Sequence, residues 1–84
     1  MPRGAGDGGS ASPGEVLRDE FLGPRGLSGP QLARRIGVEP GRIDALIEGS
    51  HGMTPGLALR LARSLDTTAD FWMDLQAAWE RRED

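Results

Sequence analysis

The sequence has no cysteine, no lysine and no tyrosine, and a single histidine, His51. Without thiols there can be no disulfide and no thiolate zinc site, and nothing points to an oxidising compartment. One histidine is too few for a histidine metal cluster, so no metal and no cofactor is expected. Long apolar runs are also missing; none approaches the ~20 residues that a membrane span needs. The stretch Met1 to Ser12 is glycine-rich and lacks the apolar core of a secretory signal, so the expected location is cytoplasmic. A positive surplus is absent too: ten arginines stand against thirteen carboxylates, for a net charge of −3. Nucleic-acid binders usually carry a basic surplus. The overall charge therefore opposes DNA binding and suits a basic protein partner. The charge is uneven, however. Arg34, Arg35 and Arg42 lie mid-chain, whereas acids gather over Glu15 to Glu20 and from Asp66 onward.

Enzyme readings also lack their parts. There is no Cys/His pair, no glycine-rich loop follows a strand, and the one histidine sits beside Gly52 and near Gly49 in an expected loop. No catalytic residue is assigned.

What is present is helical patterning. The 84 residues suffice for one domain, small enough to be marginal alone. Residues 1–12 carry no large apolar side chain beyond Met1 and are expected to form a flexible tail before a domain over residues 13–82. Ser12-Pro13-Gly14-Glu15 matches a capping box with proline at the first helical position. That helix places Leu17 and Phe21 one turn apart and is expected to stop near Leu22, before Gly23-Pro24. Ser28 caps a second helix, with Pro30 in its first turn and Leu32, Ala33 and Ile36 on its buried face. Gly37 ends it in the left-handed conformation, and Val38 follows. A third helix from about Pro40 to Glu48 carries Ile43, Leu46 and Ile47 and ends at Gly49. Thr54-Pro55 opens a fourth, with Leu57, Ala58, Leu61, Ala62 and Leu65 at helical spacing. Thr68 caps a fifth, with Asp70 near its positive end and Phe71, Trp72, Leu75, Ala78 and Trp79 along it. No segment alternates with period two, so the fold class is all-α, without a sheet.

Two short helices separated by Gly37 and Val38, with faces spaced to bury against each other, form a helix-turn-helix pattern over about Ser28 to Gly49. Any helical hairpin can share that spacing, but the wider text is more specific. Pro13-Gly14-Glu15, Leu32-Ala33, Ala58-Leu59-Arg60-Leu61 and Phe71-Trp72-Met73-Asp74-Leu75-Gln76 resemble the HigA-type antitoxins of the Xre/Cro helix-turn-helix superfamily, over roughly residues 13–80. The last stretch is similar to the family's aromatic-rich "FW-x-x-LQ" helix. The resemblance implies a lambda-repressor-like five-helix bundle. It implies a partner, a cognate toxin similar to HigB, a ribosome-associated mRNA endonuclease of the RelE type. It also implies a homodimer that represses its own operon by binding operator DNA. A stand-alone Xre-type transcription regulator, or a toxin-binding module with weak or lost DNA binding, are the alternatives.

The third helix departs from the family pattern. Position 29, often a phosphate-contacting glutamine, is Gly29; positions 39 to 41 are Glu39, Pro40 and Gly41. Position 45, often a long polar reader of bases, is Ala45. Position 48, often asparagine, is Glu48, and the basic pair that frequently follows the glycine is Ser50-His51. Arg42 is the one strong donor, able to bind a guanine or a phosphate. Ala45 suits a thymine methyl, and Glu39 a cytosine amino group. Gln31 and Arg35 on the second helix, with Ser50 and His51, are the remaining candidate DNA contacts. The expected binding is weak or shape-dependent. Phe71, Trp72, Leu75 and Trp79 serve either as core or as a dimer seam, and we assign them to a two-fold dimer.

Overall fold

A computed structural model of the chain describes residues 11–81. The expected tail over residues 1–10 and Arg82 of the expected domain lie outside the described residues. Among the described residues there are five helices and no strand. Helix α1 covers residues 13–25 in three consecutive parts: Pro13–Val16 is α-helical, Leu17–Leu22 π-helical and Gly23–Arg25 α-helical. Then follow α2 (Gly29–Ile36), α3 (Pro40–Glu48), α4 (Pro55–Leu65) and α5 (Ala69–Arg81).

Local chemistry starts each helix where the sequence places it. Ser12 Oγ accepts the Glu15 N–H at 3.1 Å while Glu15 Oε1 accepts the Ser12 N–H at 3.1 Å, which satisfies two donors that have no partner inside the helix. Ser12, the last residue of the expected tail, is buried, so order reaches back to this cap. Ser28 and Gln31 repeat the box on α2. Thr54 Oγ1 accepts from Leu57 N, and Thr68 Oγ1 from Phe71 N.

Helices α1 to α4 end in left-handed residues, Gly26 (φ 64°), Gly37 (φ 77°), Gly49 (φ 86°) and Asp66 (φ 60°). At α4 the Thr67 N–H closes onto Ala62 O at 3.1 Å, as a Schellman end requires. Asp66 holds there a conformation that glycine adopts without a Cβ penalty. Asp66→Gly is expected to stabilise the fold by about 0.5–1 kcal/mol, read as a higher urea midpoint at unchanged slope. A lower midpoint would contradict it.

The first helix differs from expectation. Gly23-Pro24 does not end it; the helix runs through Arg25 and ends at Gly26. The π segment is the physical reason. Its wider turn, in which Gly23 N–H donates to Arg18 O, lets a fresh α-turn begin at Gly23. Pro24 then lies in the first turn of that restart, where a missing N–H costs nothing.

The core is one cluster. Leu17, Leu32, Ala33, Ile43, Ala58, Leu61 and Trp72 are fully buried, with Leu22, Ile36, Leu46, Met53, Leu57 and Leu65 nearly so. Helix α2 packs chiefly on α3, α5 on α4, and α1 lies across α3 and α5. Phe21 of α1 meets the start of α5, at 5.3 Å from the Trp72 ring and 6.3 Å from the Phe71 ring, and the Arg25 guanidinium lies 5.6 Å over the Phe21 ring.

Candidate nucleic-acid interface

Helices α2 and α3 with the Gly37 turn between them are the helix-turn-helix unit. The turn closes when Val38 N–H donates to Ala33 O at 3.0 Å. A residue far away in sequence completes it: Arg60 of α4 donates from Nη1 to Ile36 O at 2.6 Å. This charge-assisted bond satisfies a carbonyl at the end of α2 and ties the turn to α4. Arg60→Leu is expected to cost about 1–3 kcal/mol, because it leaves a partly buried carbonyl unpaired. A chemical-denaturation midpoint equal to that of the parent chain would refute this.

At the other end of α2, Gln31 is exposed. Its Oε1 is used by Ser28 N–H at 2.8 Å, leaving the amide nitrogen to donate outward. Gly29, by contrast, is buried, and a Cβ on it would fall on the Asp44 carboxylate and lie 3.5 Å from Ile43 Cγ2. A side chain at this position would have to displace the Asp44 carboxylate. The same contact places the exposed Asp44 carboxylate against the first turn of α2, the positive end of that helix, where a phosphate would otherwise be favoured.

Along α3, Glu39, Pro40, Gly41 and Glu48 are exposed and Ala45 is half-buried. Ser50 and His51 are exposed in the loop beyond α3, and Ser50 Oγ donates to Ala45 O at 3.2 Å. Arg35 is exposed on α2 and lines a shallow groove of about 310 Å³ with Arg60 and Arg63 of α4. These residues lie on α2, the start and one flank of α3, and the following loop. Arg42 does not join them as an open donor. It is half-buried, its Nη2 donates to Gly52 O at 3.0 Å, and its Nη1 is enclosed without a hydrogen-bond partner.

The four aromatic and apolar residues of α5 separate into two groups. Trp72 is 0% exposed and its Nε1 donates to Thr67 Oγ1 at 2.8 Å. Its assignment to a dimer seam is therefore corrected: the indole is consumed by the chain's own core and presents no surface to a second copy. Phe71 keeps 38% of its surface exposed, and Leu75 and Trp79 are half-buried.

The acids of α1 are largely engaged locally. Glu15 serves the capping box, and Asp19 accepts from Arg18 Nε at 2.8 Å and from its Nη2 at 3.3 Å. That hydrogen bond first, and the carboxylate charge second, hold the exposed Arg18 guanidinium above its ordinary pKa. Glu20 is exposed and has no ion pair among the described residues.

Apolar periodicity carries no sign of the close approach at Gly14, of Asp44 or of the contacts of Gln76. Gln76 lies in the resemblance-bearing "FW-x-x-LQ" stretch and Arg60 in the Ala58–Leu61 stretch, and those stretches are the signal in the sequence that points to them.

No family model matches the chain. Individual relatives do. Virulence-associated protein I of Dichelobacter nodosus is 38% identical over 80 residues, covering 95% of this chain and 74% of the relative. Antitoxin HigA-1 of Vibrio cholerae is 38% identical over 74 residues, covering 84% of this chain and 70% of the relative. Among solved structures, the Pseudomonas aeruginosa antitoxin HigA with the higBA promoter matches with a TM-score of 0.81 at 38% identity, over 84% of this chain and 77% of that one. The fold is that of a helix-turn-helix bundle, and the relatives it matches are antitoxins and helix-turn-helix regulators. The chain belongs to the HigA antitoxin family. Among the described residues, no helix is long and apolar enough to cross a membrane.

Proposed function

We propose that this chain is the antitoxin of a toxin–antitoxin pair. It binds and neutralises a HigB-like mRNA endonuclease, and as a homodimer it binds the promoter of its own operon and represses it. The observation that carries the reading is the α2–turn–α3 unit, together with 38% identity to a HigA structure that contains the higBA promoter. The net charge of −3 supports a basic protein partner.

On DNA, Gln31, Arg35, Ser50 and His51 contact phosphates, while Glu39, Pro40, Gly41 and Ala45 form the low-relief face turned to the bases. The dimer is built on Phe71, Leu75 and Trp79, three of the partly exposed apolar residues of α5. It sets the two recognition helices roughly 34 Å apart, one turn of DNA.

Co-expression with the product of the neighbouring gene tests the toxin half. Growth rescue together with a co-purifying complex supports it; neither appearing would reduce the chain to a stand-alone regulator.

A second reading, toxin binding with DNA binding lost, is favoured by one observation: the Asp44 carboxylate lies at the α2 N-terminus beside an α3 that exposes Glu39 and Glu48. A gel shift on the chain's own upstream DNA separates the two readings. With DNA binding retained, Asp44→Asn tightens the complex about 2- to 5-fold, because an anion no longer competes with phosphate at the helix end. Unchanged or weaker binding by this variant would show that the carboxylate does not oppose DNA.

A further inference from the structure

Ser50 and His51 are tied to Ala45 O at the end of α3, and beyond them the loop between α3 and α4 is fastened from two further sides that meet on one peptide unit. From α3, Arg42 Nη2 donates to Gly52 O at 3.0 Å. From α5, Gln76 Oε1 accepts the N–H of Met53 at 2.8 Å. Gly52 C=O and Met53 N–H are the two polar ends of the same planar peptide. Its carbonyl is held by the recognition helix and its N–H by the terminal helix.

Each fastening is itself set. Gln76 Nε2 donates to the Glu80 carboxylate at 2.9 Å, which orients the amide with its oxygen toward Met53. The fit is close on the loop side as well: a Cβ on Gly52 would stand 3.1 Å from Gln76 Nε2 and 3.2 Å from Oε1. Arg42 has its Nη1 enclosed and its Nη2 engaged on a backbone carbonyl, which fixes the guanidinium toward the loop. Two residues upstream of Gly52 begins the exposed pair Ser50 and His51, the part of the loop available to a phosphate.

We infer that Arg42 and Gln76 are positioning residues that clamp the Gly52–Met53 peptide and so hold Ser50 and His51 against the DNA backbone, and that Arg42 does not read a base. The inference rests on the DNA-binding reading above. It reverses the role that residue type alone suggests for Arg42, since an arginine on a recognition helix is ordinarily a guanine reader. It also gives Gln76, on a helix outside the helix-turn-helix, a part in DNA affinity. Because phosphates carry no sequence information, loss of the clamp weakens all duplexes alike.

The test measures binding of the full chain to its promoter duplex and to a scrambled duplex of equal length and composition, at several salt concentrations. Arg42→Met and Gln76→Leu are each expected to weaken both duplexes by the same factor, about 5- to 20-fold, with the promoter-to-scrambled ratio kept. The double variant loses no more than the weaker-binding single, because both remove one clamp. Gly52→Ala, which crowds the Gln76 amide from an exposed loop position, reproduces the loss without altering either helix. The inference is overturned if Arg42→Met collapses the ratio while leaving scrambled DNA unaffected, as loss of a base reader would. It is equally overturned if Gln76→Leu and Gly52→Ala, both folded, bind as the parent does, or if the two single losses add. A parent chain that shows no binding to either duplex at low salt overturns the DNA-binding reading, and this inference with it.

Discussion

Gly14→Ala is expected to lower the melting temperature by roughly 12–24 °C, from a cost of about 3 kcal/mol in a domain of this size. Gly14 lies in the first turn of α1, buried flush against α3. A Cβ there would overlap Leu46 O and stand 2.6 Å from both Leu46 C and Ile47 Cα. All three are main-chain atoms inside a helix, so none can swing aside as a side-chain tip would. The only relief is displacement of α1 from α3, which opens the packing around Leu17 and Leu46. The contrast is Gly41→Ala in the first turn of α3. A Cβ there meets nothing within 4 Å, and the change is expected to stabilise by about 0.5–1 kcal/mol through helix propensity and a restricted unfolded chain. Circular-dichroism melts of both variants decide the matter. A Gly14→Ala melting point within a few degrees of the parent would show that α1 and α3 are not in close contact.

The two tryptophans of α5 should respond in opposite ways. Trp72 is wholly buried, packed on Phe21 and Phe71 and hydrogen-bonded to Thr67. Trp72→Ala removes the largest core side chain and leaves the Thr67 hydroxyl without its donor. Its expected cost of about 3–5 kcal/mol consumes most of the stability of a domain near the low end of the ~5–15 kcal/mol range. Loss of cooperative unfolding at room temperature is the anticipated result. Trp79 is half-buried, and in the proposed dimer it lies on the two-fold seam. Trp79→Ala should keep the helical fold and shift the mass from dimer to monomer in light scattering at micromolar concentration. A folded Trp72→Ala would contradict the core assignment. A Trp79→Ala that remains dimeric would remove α5 from the interface.

These outcomes bear on how much the sequence alone conveys. Residue type and spacing suffice to place a tryptophan pair on α5, seven residues apart on one helical face. They do not say whether that face meets the chain's own core or another copy. Phe21 decides it for Trp72. The π segment turns Phe21 against that indole at 5.3 Å, and a widened helical turn leaves no mark in apolar periodicity. The same segment explains why Gly23-Pro24, read locally as a stop, lies inside α1.

What the sequence determines by itself is the set of helices, their starts and the ends of α2 and α3. Ser12, Ser28, Thr54 and Thr68 cap, and Gly37 and Gly49 terminate, because each acts on backbone groups within a few residues of itself. The family likeness is likewise carried by short stretches that can be read in line. Only the tertiary structure decides what the long-range partners do. Arg60 reaches a carbonyl 24 residues away, Gln76 an amide 23 residues away, and Arg42 a loop carbonyl 10 residues on. Gly14 is needed small because of α3, not because of its neighbours in the chain. The physical reason is common to all four. A hydrogen bond or a backbone contact between separate helices depends on where packing sets those helices, and packing is a property of the whole core rather than of any segment.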